Sequence, residues 1–364
     1  MINQTSLEAK IRKLENRVSS FLQKPNFDGF SSDDLFIKRF IGKPWGQDIA
    51  ALSNMAEGYL NLHLASFGPT STLEHLQAII ERAIHPKVNP YNKPLSSVRS
   101  LGFQGYYLEH LNTSLGCYRL AGGEGHKALH RRVSEHLAEI SLQERNAHAR
   151  LIPHVKMRWC ADQAAILNSL WLYDQSTNCD LHEEPSKRWL DYIRNNCLHA
   201  TGLVQTEVMN CKKYSKQPRG CSLAYLVHYS RSFAPDFAKE QWCLFKKHMF
   251  SKALGLHGFR EYLPSYKGGM TPDTGPIIGG LGVAATGLAM KTASCMSDSE
   301  TFEKLRSSAK PVLGMAELLR FVPLVNKFSA VATDVLATSI QFSGVSRAII
   351  MRKNLKRSST LLPR

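Results

Sequence analysis

Helical periods run through most of this chain, and they alternate between two kinds. Leu129, Val133 and Leu137 recur every four residues among polar neighbours, as do Trp189, Ile193 and Cys197. Such spacing describes a helix with one dry stripe and one wet face. The intervening segment, residues 159–173, is different. It places Ala164, Ile166, Leu167, Leu170 and Trp171 on every side of the helix, so it must be covered all round. The alternation persists along the chain: 105–120 reads as inner and 126–142 as outer, then 159–174 and 186–199, 221–233 and 236–254, and 275–291 and 300–311. Residues 47–67 and 71–85 supply an earlier pair, and 317–351 can supply two further helices. No sustained run of alternating β-branched residues bounded by hairpin turns competes with this reading.

About six helical hairpins, buried and amphipathic by turns, meet the requirement of a closed double ring in which the inner helices are walled in by neighbours. A stacked solenoid of helix pairs is the alternative, but no fixed-period self-similarity is visible. The expected architecture is therefore all-α, an (α/α)6 toroid. It spans 41–345, preceded by an N-terminal helix and linker (1–40) and followed by a basic tail (346–364). In the first segment Ile11, Leu14, Val18 and Leu22 share a helix face.

Composition narrows the classes. The 364 residues are 43% hydrophobic and 21% charged, which excludes a disordered or collagen-like chain. Forty-six Lys+Arg against 30 Asp+Glu leave a formal charge of +16, which raises nucleic acid and anionic membrane as partners. The surplus is concentrated only from Arg347 onward, where six basic residues and no acids occur. The eight cysteines form no C-x-x-C pair, and Met1-Ile2-Asn3-Gln4-Thr5 is not a basic-then-apolar leader, so free thiols and a cytoplasmic location are expected. The longest uncharged apolar run, 274–290, is short for a membrane span and rich in Gly.

In such a ring, the junctions leading into inner helices line one mouth of the central cavity, and polar residues there invite a functional question. Tyr107, His110 and Asn112 sit in a mostly apolar inner segment, where His110 is either a satisfied core histidine or a proton donor or acceptor near neutrality. Trp159-Cys160-Ala161-Asp162 opens the next inner helix, and Asp162 is either a first-turn carboxylate favoured by the helix dipole or a cavity acid. Pro218-Arg219-Gly220-Cys221-Ser222 enters the third, with Tyr225 and Tyr229 one and two turns along. Arg219 can clamp an acid, and Cys221 is the thiol that a helix dipole can activate. Arg260 and Glu261 are adjacent, as expected of a structural ion pair or a solvated loop. Asp273 is the last charge before the long uncharged run. Gly280-Leu281-Gly282-Val283-Ala284-Ala285 matches a relaxed dinucleotide fingerprint but lacks the strand context that fingerprint needs. No Walker loop, H-E-x-x-H, G-x-S-x-G or cysteine metal spacing occurs.

The order of these motifs is a resemblance in itself. A tyrosine before His110-Leu-Asn with Leu115-Gly116, then Trp159-x-x-Asp162, Pro-Arg219-Gly-Cys-Ser, Arg260-Glu-Tyr and Asp273-Thr-Gly-Pro-Ile resembles the linalool dehydratase/isomerase-like proteins over roughly residues 100–290. More loosely it is similar to other (α/α)6-barrel enzymes, such as six-hairpin glycosidases and glucuronyl epimerases. The resemblance implies a helical toroid whose cavity performs acid–base chemistry on small terpenoid-like alcohols without metal or organic cofactor. Where the family's turn often carries a second acid two residues before the Asp, this chain has Thr271. The expected function is a lyase or isomerase of the dehydratase kind. Asp162 and Asp273 divide acid and base work there, and His110, Tyr229 and Cys221 assist. Tyr107, Asn112, Trp159, Arg219, Tyr225, Arg260 and Glu261 bind substrate. The alternatives are a carbohydrate-active toroid, or a non-catalytic scaffold docking an anionic partner. A homo-oligomer is compatible with either.

Overall fold

The computed structural model describes residues 4–23, 47–89, 95, 105–150, 158–208, 216–271, 273–318 and 335–360. Twelve helices occur among them: α1 (Gln4–Gln23), α2 (Gln47–Leu64), α3 (Thr72–Ile84), α4 (Gly105–Leu120), α5 (Lys127–Leu142), α6 (Cys160–Thr177), α7 (Glu183–Asn196), α8 (Gly220–Ser230), α9 (Pro235–Met249), α10 (Val283–Cys295), α11 (Ser299–Leu318) and α12 (Val335–Thr360).

The even-numbered helices form a closed inner ring. Helix α2 packs on α4, α4 on α6, α6 on α8, α8 on α10, α10 on α12, and α12 returns to α2. The odd-numbered helices lie outside: α3 against α2 and α4, α5 against α4 and α6, α9 against α8, and α11 against α10. Burial follows this division. In α6 every residue from Cys160 to Asp174 except Asp162 and Trp171 is buried, whereas α7 buries only Pro185, Ser186, Trp189 and Ile193. The chain is an all-α (α/α)6 toroid, as its two kinds of helical period require.

The ring is completed by the two ends of the chain. Helix α1 buries Leu7, Ile11, Leu14, Val18 and Leu22 and packs on α12 and α3, so it is the outer partner of the last inner helix. Helix α12 runs through to Thr360 with Ala348, Ile349 and Met351 buried. The boundaries expected at 40 and 345 therefore do not separate either end from the ring: α1 is an outer helix, and the basic stretch begins inside an inner one. At this seam Gly58 of α2 faces Phe342 of α12, where a Cβ would lie 2.3 Å from the ring. Only glycine lets the two helices approach so closely.

Three two-stranded antiparallel ribbons decorate the ring: β1 (Arg158–Trp159) with β2 (Glu207–Val208), β3 (Phe250–Ala253) with β4 (Leu256–Phe259), and β5 (Ile277–Ile278) with β6 (Leu281–Gly282). The second occupies part of the expected outer segment 236–254. Helix α9 stops at Met249, and the chain reverses through Leu254 and Gly255, both at positive φ. The third ribbon contains the glycines of the dinucleotide-like motif. Gly279 and Gly280 form its turn at φ 59° and 86°, so they reverse a hairpin instead of opening a parallel βα unit. No described helix is long and apolar enough to cross a membrane.

Candidate active site

One mouth of the ring is built where the chain enters α4, α6 and α8, together with the segment that follows β4. Arg219 caps α8 in extended conformation and bridges to Tyr262, and the Gly220 amide donates to the Glu261 carbonyl at 2.8 Å. A Cβ on Gly220 would lie 2.1 Å from the Arg260 carbonyl oxygen, so this contact admits glycine alone. The Glu261 carboxylate, fully buried, faces the start of α8. Arg219 Nε donates to its Oε1 at 3.0 Å, Cys221 Sγ donates to the same oxygen at 3.0 Å, and the Cys221 amide donates to Oε2 at 3.3 Å. Burial pushes Glu261 above the ordinary carboxylate range, with Arg219 pulling in the opposite direction. Burial disfavours the Arg219 charge, but Cys221, Glu261, Tyr262 and Asp273 outweigh it and hold Arg219 above its ordinary value.

Two expectations are corrected by this arrangement. Glu261 pairs with Arg219, 42 residues away, and not with adjacent Arg260. The Cys221 thiol is also not activated by its helix. Burial and then the Glu261 charge push it well up, so it is a donor to Glu261 and not a ready thiolate. Thr271 steadies the same arginine. Its Oγ1 accepts from Arg219 Nη2 at 2.9 Å, and its amide donates to Thr274 Oγ1 at 2.9 Å. That turn presents Asp273, which is exposed.

The chemistry concentrates around α4. His110 Nδ1 lies 2.7 Å from Ser53 Oγ of α2, and its Nε2 lies 3.2 Å from the Tyr225 hydroxyl of α8, so one imidazole joins three inner helices. Burial drives His110 down to about 3, so the ring is neutral at neutral pH. The Tyr106 ring packs edge-on against it, at 4.9 Å between centroids. Glu109 is wholly buried, its Oε1 is 3.7 Å from His110 Nε2, and neither of its carboxyl oxygens has a partner at hydrogen-bond geometry. Burial, and next the charge of Asp162, push Glu109 well above the ordinary carboxylate range, against the weaker pull of the nearby Tyr225 hydroxyl. Asp162, in the first turn of α6, is partly exposed and is raised to about 7 by burial and by the charge of Asp273. Asp162, Glu109 and Asp273 all act on Tyr106, and burial together with these acids raises that phenol far above its usual value. Three carboxyl groups thus act on one phenol from three degrees of burial: Glu109 enclosed, Asp162 partly exposed and Asp273 exposed.

Not every expected residue faces this place. The Tyr107 hydroxyl donates to the Ala83 carbonyl at the end of α3, at 2.8 Å, so this side chain points outward into the ring wall. Asn112 is fully buried between Ser169 of α6 and Ser134 of α5, each at 3.1 Å, and ties helices together. Tyr229 is buried beneath Tyr225, with Lys291 5.2 Å from its ring centroid. Trp159 is partly buried and pairs with Glu207 in the first ribbon. The Arg260 backbone bridges to Leu281.

Beside His110 lies a buried ion network that the sequence patterns do not announce. Glu57 of α2 pairs with Lys291 of α10, lies 3.4 Å from His228 Nε2, and accepts from Ser343 Oγ of α12 at 3.0 Å. Lys291 Nζ also donates to Asn54 Oδ1 at 2.7 Å. Burial works to raise Glu57, but Lys291 and His228 overcome it and hold the carboxyl far below its usual range. Among the described residues no group of three or more His, Cys, Asp or Glu is arranged to hold a metal ion.

No protein-family model matches the sequence, and no curated protein matches it. Solved structures do match. An α-1,6-mannanase variant of Salegentibacter sp. HEL1_6, solved with α-1,6-mannotetrose, aligns over 95% of this chain and 99% of its own at 11% identity, with a TM-score of 0.59. An unsaturated glucuronyl hydrolase specific for heparin aligns over 96% and 99% at 8% identity, with a TM-score of 0.60. A polysaccharide lyase aligns over 98% and 99% at 11% identity, with a TM-score of 0.54. At such identities the likeness establishes the toroid fold, and it does not single out the linalool dehydratase-like proteins.

Proposed function

We propose that this toroid is an acid–base enzyme of the lyase or isomerase kind, acting on a small hydroxylated substrate at the mouth formed by α4, α6 and α8. The observation that carries this reading is Asp162, a first-turn carboxyl poised at about 7 by burial and by the charge of Asp273. A carboxyl at that value is an effective proton acceptor near neutrality and also an adequate donor. Asp273, exposed on its turn, contributes to that value and remains reachable by substrate. The Tyr225–His110–Ser53 chain holds one wall in a defined hydrogen-bonded state, and Arg219–Glu261 fixes the entry to α8.

A carbohydrate-active site is the second reading. It is favoured by the solved toroids, whose names include a mannanase, a glucuronyl hydrolase and a polysaccharide lyase. A screen that pairs small tertiary and allylic alcohols with mannosides and unsaturated uronides separates the two. The first reading expects alkene formation from an alcohol, with Asp273→Asn lowering the rate at neutral pH by about tenfold or more while the fold is retained. Turnover of glycosides alone contradicts it, and so does an alcohol-eliminating activity indifferent to Asp273→Asn.

A further inference from the structure

Large hydrophobic side chains stand exposed at seven positions among the described residues, and four of these, Leu254, Met270, Ile278 and Val283, fall between residues 254 and 283. Leu254 is the most open, at 80% exposure, and it forms the β3–β4 turn at φ 50°. Neither burial nor backbone geometry accounts for a leucine there, since a turn at positive φ is better served by Asn or Asp. The third ribbon repeats the pattern. Ile278 pairs with Leu281, so the two share a face, and the Val283 amide extends the ladder by donating to the Pro276 carbonyl at 3.0 Å. Alternation then puts Val283 on the same face as Leu281. Ile278 is 48% exposed and Val283 40%. The two ribbons form one surface: Arg260 bridges to Leu281, and a Cβ on Gly279 would lie 3.0 Å from the Ala253 Cβ. The turn that carries Leu254 therefore abuts the turn beside Ile278.

The charges nearest these two turns are basic. Lys252, two residues before Leu254, is exposed, and the Arg260 guanidinium lies against the second turn, where a Cβ on Gly280 would be 2.7 Å from its Nη1. Lys267 is exposed on the loop that follows β4. The acids of this stretch stand elsewhere: Glu261 is buried against Arg219, and Asp273 lies on the turn at the mouth. Projecting apolar side chains set among basic ones fit an anionic lipid surface, where the apolar tips enter the headgroup boundary and the cations meet lipid phosphates. A second copy fits less well, because two identical faces bring basic groups against basic groups.

We propose that the two hairpin turns dock this protein on an anionic membrane surface, with Leu254, Ile278 and Val283 entering the lipid and Lys252 and Arg260 meeting the headgroups. The docked face borders the candidate site, since a Cβ on Gly282, next to Val283, would lie 3.0 Å from Glu261 Oε2. The docking stands independently of the acid–base reading of that site.

The test is co-sedimentation of the full chain with vesicles of phosphatidylcholine alone and of phosphatidylcholine mixed equally with phosphatidylglycerol. Binding is expected to the mixed vesicles, and it should weaken as salt is raised from about 0.1 M to about 0.5 M. Leu254→Asp suits the positive φ of its turn and should keep the fold while lowering partitioning by about tenfold or more. Lys252→Glu should remove about as much of the preference for phosphatidylglycerol. Absence of binding to either vesicle overturns the proposal. So does binding that Leu254→Asp leaves unchanged, which assigns the attraction to basic groups elsewhere on the chain. A dimer that Leu254→Asp dissociates, seen by light scattering without vesicles, also overturns it by giving the face to a second copy.

Discussion

Asp162→Asn is expected to lower kcat/KM by about 1000-fold while making the protein more heat-stable at mildly alkaline pH. The first effect follows from removing the group that accepts the proton, worth about 10²–10⁴ in rate. The second follows from the direction of its titration. The folded-state value of about 7 lies above the ordinary Asp value of about 3.9. Between those two, the folded chain keeps a proton that the unfolded chain has released. Stability therefore falls as pH rises through that window and levels off above it. Asparagine carries no such titration. Melting curves of the two proteins should converge near about pH 4 and separate toward about pH 8, with the variant the more stable. A variant that is both inactive and less stable at about pH 8 makes Asp162 an ordinary structural carboxylate.

The largest loss of stability is expected from Lys291→Met. Methionine fills most of the lysine's volume, so the change isolates the charge. It leaves Glu57 enclosed among α2, α10 and α12 with His228 and Ser343 as its partners among the described residues. Breaking one side of a buried pair costs about 3–5 kcal/mol, whereas replacing both sides is often close to neutral. Glu57→Gln/Lys291→Met should therefore recover much of what the single change loses. The pH dependence has the opposite sign to that of Asp162. Glu57 is held below the ordinary Glu value, so its contribution is complete above about pH 4.3 and is lost as pH falls further. The gap between wild type and Lys291→Met should be widest near neutrality and narrow in acid. Chemical denaturation at both pH values measures it, and a loss under about 1 kcal/mol at neutral pH contradicts a buried, paired Lys291.

The contrast between α6 and α7 is legible in the sequence, because a helix with no polar face has nowhere to go but between neighbours. The same physical rule marks Glu109, although its neighbours Tyr107, His110 and Asn112 draw attention first. Glu109 interrupts α4, whose residues from Tyr107 to Cys117 are all buried, so an acid there has to be buried too. Glu57 in α2 carries the same signal. Lys291 reads as the charged end of its segment, but α10 continues to Cys295, which puts the ammonium inside the ring. Tyr106 and Tyr107 show where the signal stops. Adjacent helix positions point about 100° apart, and sequence alone does not say which of the two looks inward. The β3–β4 hairpin is hidden because its turn uses Leu254 at positive φ, where Asn or Asp is the usual marker. Arg219–Glu261 is a long-range pairing made by the bridge between Arg219 and Tyr262, which no local spacing encodes.

The central claim is that the mouth of this toroid poises one carboxyl near neutrality by setting it in a buried cluster of acids. Its most direct test is a carboxyl carbon NMR titration of the aspartate-labelled protein, with the Asp162 resonance assigned by its loss in Asp162→Asn. The expected midpoint is about 7, moving downward in Asp273→Asn because the neighbouring charge is gone. A midpoint near the ordinary value of about 3.9, unmoved by Asp273→Asn, contradicts the account.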